Sequence, residues 1–117
     1  MASLTAQIFD TQHGRPAEGV EVEVFALGPN DAVHPIRVAA TGADGRADRP
    51  LLHDGELEKG DYELHLHLGP YFRAAGVVEA EPRFLNIVSV RIGVADPDAD
   101  IHVTVAVSPW SYTVFRA

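Results

Sequence analysis

Six histidines, 17 carboxylates, nine cationic side chains and scattered hydroxyls are the reactive groups of this 117-residue chain, which has no cysteine. Without thiols, disulfide frameworks, thiolate zinc sites and cysteine nucleophiles are excluded together. A Gly-x-Ser-x-Gly elbow, a phosphate loop and a His-Glu-x-x-His helix are also absent from the sequence. His65 and His67 alternate with apolar residues and so share one strand face, a spacing that can hold a metal if a third ligand arrives from elsewhere. Exposed alternation of this kind is common in antiparallel sheets, and the expectation is two solvent-facing side chains and no metal. His102 differs because Thr104 and Ala106 follow it on the same face, leaving open space beside an imidazole. Arg46 follows Asp44-Gly45 in a turn, and Arg116 lies one residue from the end of the chain. By spacing alone these are a surface histidine, a solvated cation and a frayed end.

The elements that must position these groups are strands. Val20, Val22, Val24 and Ala26 interleave with Glu21, Glu23 and Phe25, the period-two pattern of a half-buried strand. Tyr62 to Leu68, Val88 to Val94, Ile101 to Val107 and Leu4 to Ile8 repeat it, and a weaker strand covers Val33 to Thr41. Gly14-Arg15-Pro16, Gly28-Pro29-Asn30, Asp44-Gly45, Gly60-Asp61 and Asp96-Pro97 separate the runs. Short strands at such intervals predict a β-sandwich. One short helix is expected from Pro70 to Ala75, with Pro70 in the first helical position and Gly76 as the stop. No linker or repeat divides residues 1–117, and the expectation is a single domain. The formal net charge of −8 repels phosphate backbones and anionic lipid, so neither nucleic acid nor a membrane is an expected partner. The start Met1-Ala2-Ser3-Leu4 lacks a secretory pattern, and no apolar run approaches the ~18 residues of a membrane span, which leads to the expectation of a cytoplasmic protein.

Ordered blocks across the chain resemble the transthyretin-like family, specifically its 5-hydroxyisourate hydrolase branch. They are Leu4-Thr5-Ala6-Gln7-Ile8-Phe9-Asp10 with Gly14-Arg15-Pro16, Thr41-Gly42-Ala43-Asp44-Gly45-Arg46, Gly69-Pro70-Tyr71-Phe72, His102-Val103, and Ser108-Pro109-Trp110-Ser111-Tyr112-Thr113-Val114-Phe115-Arg116. The resemblance implies an all-β, two-sheet transthyretin-like sandwich of about eight strands with one short helix. It also implies a homotetramer, a dimer of dimers whose central channel holds the active sites. Enzymes of that branch open the ring of 5-hydroxyisourate, a purine-derived small molecule, by adding water across a C–N bond without metal or organic cofactor. Their site combines a first-strand histidine, the arginine of an Asp-Gly-Arg turn, a histidine near the start of the penultimate strand and a terminal Tyr-Arg-Gly-Ser.

Arg46, His102 and Arg116 match that pattern and are the expected catalytic set, while Gln7, Thr104, Phe115 and Ser108 are the expected substrate contacts. Gln7 stands in place of the first-strand histidine, Thr104 in place of a usual proline, and Asp100 where many members have a further histidine. Phe115 and Ala117 replace the tail's tyrosine and glycine, and the final serine is missing. Hydrolysis needs a proton acceptor near neutral pH and stabilisation of the developing oxyanion. His102 can supply the first and the arginines the second, whereas Gln7 can orient water or a ring N–H but takes no proton. A methylated ring has fewer N–H donors and more apolar surface, and thus suits a site that has exchanged histidine for amide and tyrosine for phenylalanine. Three readings follow: hydrolysis of 5-hydroxyisourate or an N-methylated analogue, non-catalytic ligand binding, and a different acid/base reaction such as cyclisation or isomerisation in the same channel.

Overall fold

A computed structural model describes residues 2–53 and 55–116. It has eight strands in two four-stranded sheets. One sheet has the order β2-β1-β7-β8, built from β1 (Leu4–Asp10), β2 (Arg15–Pro16), β7 (Ile101–Val107) and β8 (Tyr112–Arg116). The other has the order β4-β3-β5-β6, built from β3 (Glu21–Leu27), β4 (Val33–Ala40), β5 (Gly60–His67) and β6 (Ile87–Val94). The sheets pack face to face because β1, β3, β5, β6 and β7 turn their alternate apolar residues inward. Leu4, Ile8, Val103 and Val105 are buried from the first sheet, and Val22, Val24, Leu64 and Leu66 from the second. This is the all-β, two-sheet sandwich expected.

β1 and β7 pair in parallel, although 90 residues separate their ends, and the pairing places Thr5 opposite His102, Gln7 opposite Thr104 and Phe9 opposite Ala106. On the other side of β7, antiparallel β8 sets Phe115 opposite Thr104 and Thr113 opposite Ala106. Leu4, Ala6 and Ile8 fill the core, so Thr5, Gln7, His102, Thr104 and Phe115 share the outward face of this sheet.

The helix is shifted from its expected bounds, the weaker strand is present as β4, and two further strands, β2 and β8, are added. The helix α1 spans Leu68–Ala74, beginning two residues before Pro70. In the first turn a proline removes no intrahelical bond, and burial of Leu68, Tyr71 and Phe72, spaced three and four apart, selects the register. β4 is weakly patterned because it is an edge strand that is mostly exposed, with Pro35 beside a register shift in its pairing to β3. β2 and β8 carry no usable alternation, the first because it has two residues and the second because every residue in it is exposed.

The side of the sandwich next to α1 is organised around Asp10, the last residue of β1, which is fully buried. Its carboxylate accepts bonds from the Tyr71 hydroxyl at 2.7 Å, from His13 Nδ1 at 2.6 Å and from the His13 backbone N–H at 3.0 Å. Burial alone would raise the pKa of Asp10, but the bonds from Tyr71 and His13 outweigh it and hold the group below the usual carboxylate value. Burial and the neighbouring carboxylate push the Tyr71 hydroxyl up to about 12. A carboxylate with a depressed folded-state pKa stabilises the fold above the unfolded pKa, and that contribution is lost as pH falls through the folded value. Tyr71→Phe should therefore cost about 1–3 kcal/mol near neutrality, since it strips one donor from a buried charge, and the deficit should shrink as Asp10 protonates. Urea unfolding of both proteins near neutrality and in acid checks this; equal midpoints near neutrality would contradict it.

Candidate active site

The outward face of the β1–β7 pair supplies the reactive groups. His102 and Thr5 lie opposite each other, and the Thr5 hydroxyl oxygen is 2.7 Å from His102 Nδ1. When Nδ1–H donates to that oxygen, the ring is held in the tautomer whose Nε2 lone pair is free to take a proton. Among the described residues nothing else hydrogen-bonds the ring. Partial burial, and then the positive charge of Arg46, lower the pKa of His102, because both disfavour a second cation there. His102 is therefore neutral, and competent as a base, to lower pH than an ordinary histidine.

Arg46 reaches this face through a turn docked against β1. Gly45 has φ +80, and a Cβ there would sit 2.4 Å from the Ile8 carbonyl oxygen, so only glycine lets the turn approach this closely. The Ile8 N–H donates to the Gly45 carbonyl at 2.9 Å, the Gly42 N–H to the Arg46 carbonyl at 2.7 Å, and the Arg46 N–H to the Asp44 carboxylate at 3.0 Å. Gln7 takes part in the same docking: its Nε2–H donates to the Asp44 carbonyl at 2.9 Å, and its backbone bridges to Arg46. One amide donor of Gln7 is thus committed to positioning the turn, and its Oε1 remains as an acceptor.

Gln7, Thr104 and Phe115 form one row across β1, β7 and β8. Adjacent strands are about 4.8 Å apart, so this row spans roughly 10 Å, and the Thr5–His102 row lies ~7 Å from it along the strands. Phe115 is 51% exposed, an apolar ring at one end of a polar row.

Two expected site residues are placed elsewhere. Arg116 pairs with Val103, a core residue, so period-two alternation turns its side chain to the opposite face of β8 from Phe115 and His102. There it lines a cavity of about 90 Å³ with Ile92, Ile101 and Val114, between the β6 and β8 edges. Ser108 closes the turn between β7 and β8, where its oxygen lies 2.9 Å from the Ser111 hydroxyl and accepts the Ser111 N–H at 3.0 Å. Ser108 lies six residue steps of extended chain from His102, about 20 Å. Asp100 ties the start of β1 to that of β7 by accepting the Ser3 N–H at 3.0 Å. Ala117 lies outside the described residues.

His65 and His67 occupy the outward face of the other sheet and are engaged by carboxylates rather than facing only solvent. His65 Nε2 is 2.8 Å from a Glu63 oxygen, and His67 Nε2 contacts Glu23 and Glu21. Glu21, Glu23 and His67 bring one donor atom each within 4.8 Å of one another, a set that could hold a divalent cation away from His102. No sequence pattern announces the Thr5–His102 bond. Thr5 was legible as sharing a face with Gln7, but a register across 97 positions leaves no local mark.

A family model described as HIUase/Transthyretin family matches residues 4–117. The chain is 43% identical over 113 residues to 5-hydroxyisourate hydrolase 2 of Rhizobium meliloti, covering 97% of this chain and 93% of that one. It is 42% identical over 116 residues to 5-hydroxyisourate hydrolase of Ralstonia nicotianae, covering 99% and 98%. Among solved structures it is similar to (S)-allantoin synthase, with a TM-score of 0.91 and 32% identity; the match covers 99% of this chain and 43% of that protein. The strand order, the docked Asp44-Gly45-Arg46 turn and His102 on the outward sheet face thus sit in a chain that belongs to the HIUase/transthyretin family.

Proposed function

We propose that this protein is a cyclic amide hydrolase that opens the ring of 5-hydroxyisourate, or of an N-methylated analogue, by water attack on an amide C–N bond. The observation that carries the reading is the Thr5–His102 bond at 2.7 Å on the face reached by Arg46. His102 Nε2 takes a proton from the attacking water as its oxygen bonds the carbonyl carbon. The Arg46 guanidinium stabilises the negative charge that develops on the carbonyl oxygen. When the C–N bond breaks, the proton on Nε2 passes to the leaving nitrogen, and the new carboxylic acid ionises.

The first-strand histidine of the family pattern is Gln7 here, which leaves His102 to carry the proton in both steps. The exposed Phe115 ring in the Gln7–Thr104 row favours a substrate with methyl groups on its ring nitrogens, because those groups bury against the phenyl face and ask for no N–H acceptor. The likeness to named 5-hydroxyisourate hydrolases favours the unmethylated ring.

Stopped-flow ultraviolet measurement on freshly generated 5-hydroxyisourate and on its trimethylated analogue, each corrected for spontaneous opening in buffer, tests the reading. A rate above buffer on at least one ring is expected, with His102→Ala lower by about 10²–10⁴. Gln7→His should shift the preference toward 5-hydroxyisourate. No excess rate on either ring would overturn the hydrolase reading in favour of binding or another acid/base reaction.

We also propose assembly into a tetramer, a dimer of dimers in the cytoplasm. Support comes from the open edges of β6 and β8, which flank one cavity and carry the exposed Ile87, Tyr112 and Val114. Unpaired edges with apolar side chains invite symmetric pairing. Among the described residues no helix is long and apolar enough to cross a membrane. Light scattering should give the mass of four copies; single copies in solution would contradict the assembly.

A further inference from the structure

Two arginines line one small cavity beside the reacting face. The cavity, about 130 Å³, lies between β1 and the segment that follows the docked turn, and its lining includes Thr5, Arg46, Asp48 and Arg49. Thr5 is the residue whose hydroxyl holds His102, so the cavity adjoins the proposed base across a single strand. The segment is pinned at both ends: at Gly45 by Ile8, and at Leu51 and Leu52 by their backbone bonds to Leu4 at 2.8 and 3.0 Å. Arg37 adds a bond to the Leu51 carbonyl at 2.6 Å and a two-pronged ion pair with Glu56. Arg49 is therefore carried on an anchored stretch of backbone rather than on a free loop.

The charge pattern is the second observation. Arg37, Arg73, Arg83 and Arg91 each pair with a carboxylate. Among the described residues Arg46 and Arg49 pair with none, although Asp48 lines the same cavity. Arg15 and Arg116 also make no ion pair there, but each is the only cation of its own cavity. In a chain of net charge −8, a cavity lined by two arginines against the single carboxylate of Asp48 keeps a local excess of positive charge suited to an anion.

We infer that Arg49 joins Arg46 in a carboxylate cradle that receives the anionic group created by ring opening. The inference rests on the hydrolase reading. Water adds to the amide carbonyl carbon, the C–N bond breaks with its electron pair going to nitrogen, and the carbon leaves as a carboxylic acid that ionises. The carboxylate thus forms where the oxyanion stood. Arg46 faces the original carbonyl oxygen and Arg49 the oxygen delivered by water. In this arrangement Arg49 is the second cation of the site, the role that the resemblance placed on Arg116, whose side chain faces away.

A matched pair of stable probes tests the cradle without turnover: hydantoin-5-acetate, a five-membered ring bearing a carboxylate, and neutral hydantoin. Their affinities are measured by calorimetry on the full-length protein, on Arg49→Gln, on Arg49→Lys and on the control Arg73→Gln. The cradle predicts tighter binding of the carboxylate probe than of hydantoin by wild type. Arg49→Gln should weaken hydantoin-5-acetate by about tenfold while changing hydantoin by less than about twofold. Arg49→Lys should restore part of the loss, and Arg73→Gln should match wild type. Equal weakening of both probes, unchanged affinity in Arg49→Gln, or no binding of the carboxylate probe by wild type would overturn it. Because binding is read directly, a protein that binds the probe through Arg49 yet opens neither ring would lose the hydrolase reading and keep the anion site. One that opens a ring with no Arg49-dependent binding would do the reverse.

Discussion

The parallel pairing of β1 with β7 is the constraint on which the rest of the site depends. Leu4, Ala6 and Ile8 must face the core together with Ile101, Val103 and Val105, so the register has one value. A slip by one residue would turn every side chain of a strand to the other face. The same register that buries these residues leaves Thr5 beside His102 and Gln7 beside Thr104 on the outside. Core packing and site geometry are thus two faces of a single alternation. β1 is also the surface on which the Gly45 turn docks, so it positions both the proposed base and the proposed oxyanion cation.

Electrostatics then separate the site from the rest of an acidic molecule. Arg37, Arg73, Arg83 and Arg91 are consumed in ion pairs, while Arg46 and Arg49 border an open cavity without one among the described residues. Arg46 has a double effect. Its charge favours an anion forming on substrate and, with partial burial, holds His102 below its ordinary pKa, so the imidazole remains neutral near the cation. In the proposed mechanism that coupling is what allows one histidine to serve where the family pattern has two.

Much of this was legible in the sequence, for reasons visible in particular residues. β1, β3, β5, β6 and β7 declare themselves because one face of each is apolar and the other polar. The Asp44-Gly45-Arg46 turn is readable from its glycine. β8 is different: Tyr112 to Arg116 are all exposed, so alternation of burial cannot tell which of Phe115 and Arg116 faces His102. Only pairing to β7 decides, and it selects Phe115. Ser108 offers a hydroxyl by sequence, yet its bonds to Ser111 close a turn. Arg49 carries no local signal at all, since its place beside Thr5 depends on docking a loop against a strand more than 40 positions earlier.

In the proposed mechanism a single histidine, His102, held by Thr5 and shifted by burial and Arg46, does the proton transfer. The pH dependence of kcat/KM on whichever ring is turned over tests it most directly. One acid limb of unit slope is expected, set by a single ionisation whose pKa lies below the ordinary histidine value of 6.5. In Arg46→Gln that limb should move upward, as loss of the cation relaxes the shift. A limb of two-proton slope, or one that stays in place when Arg46 is removed, would contradict it.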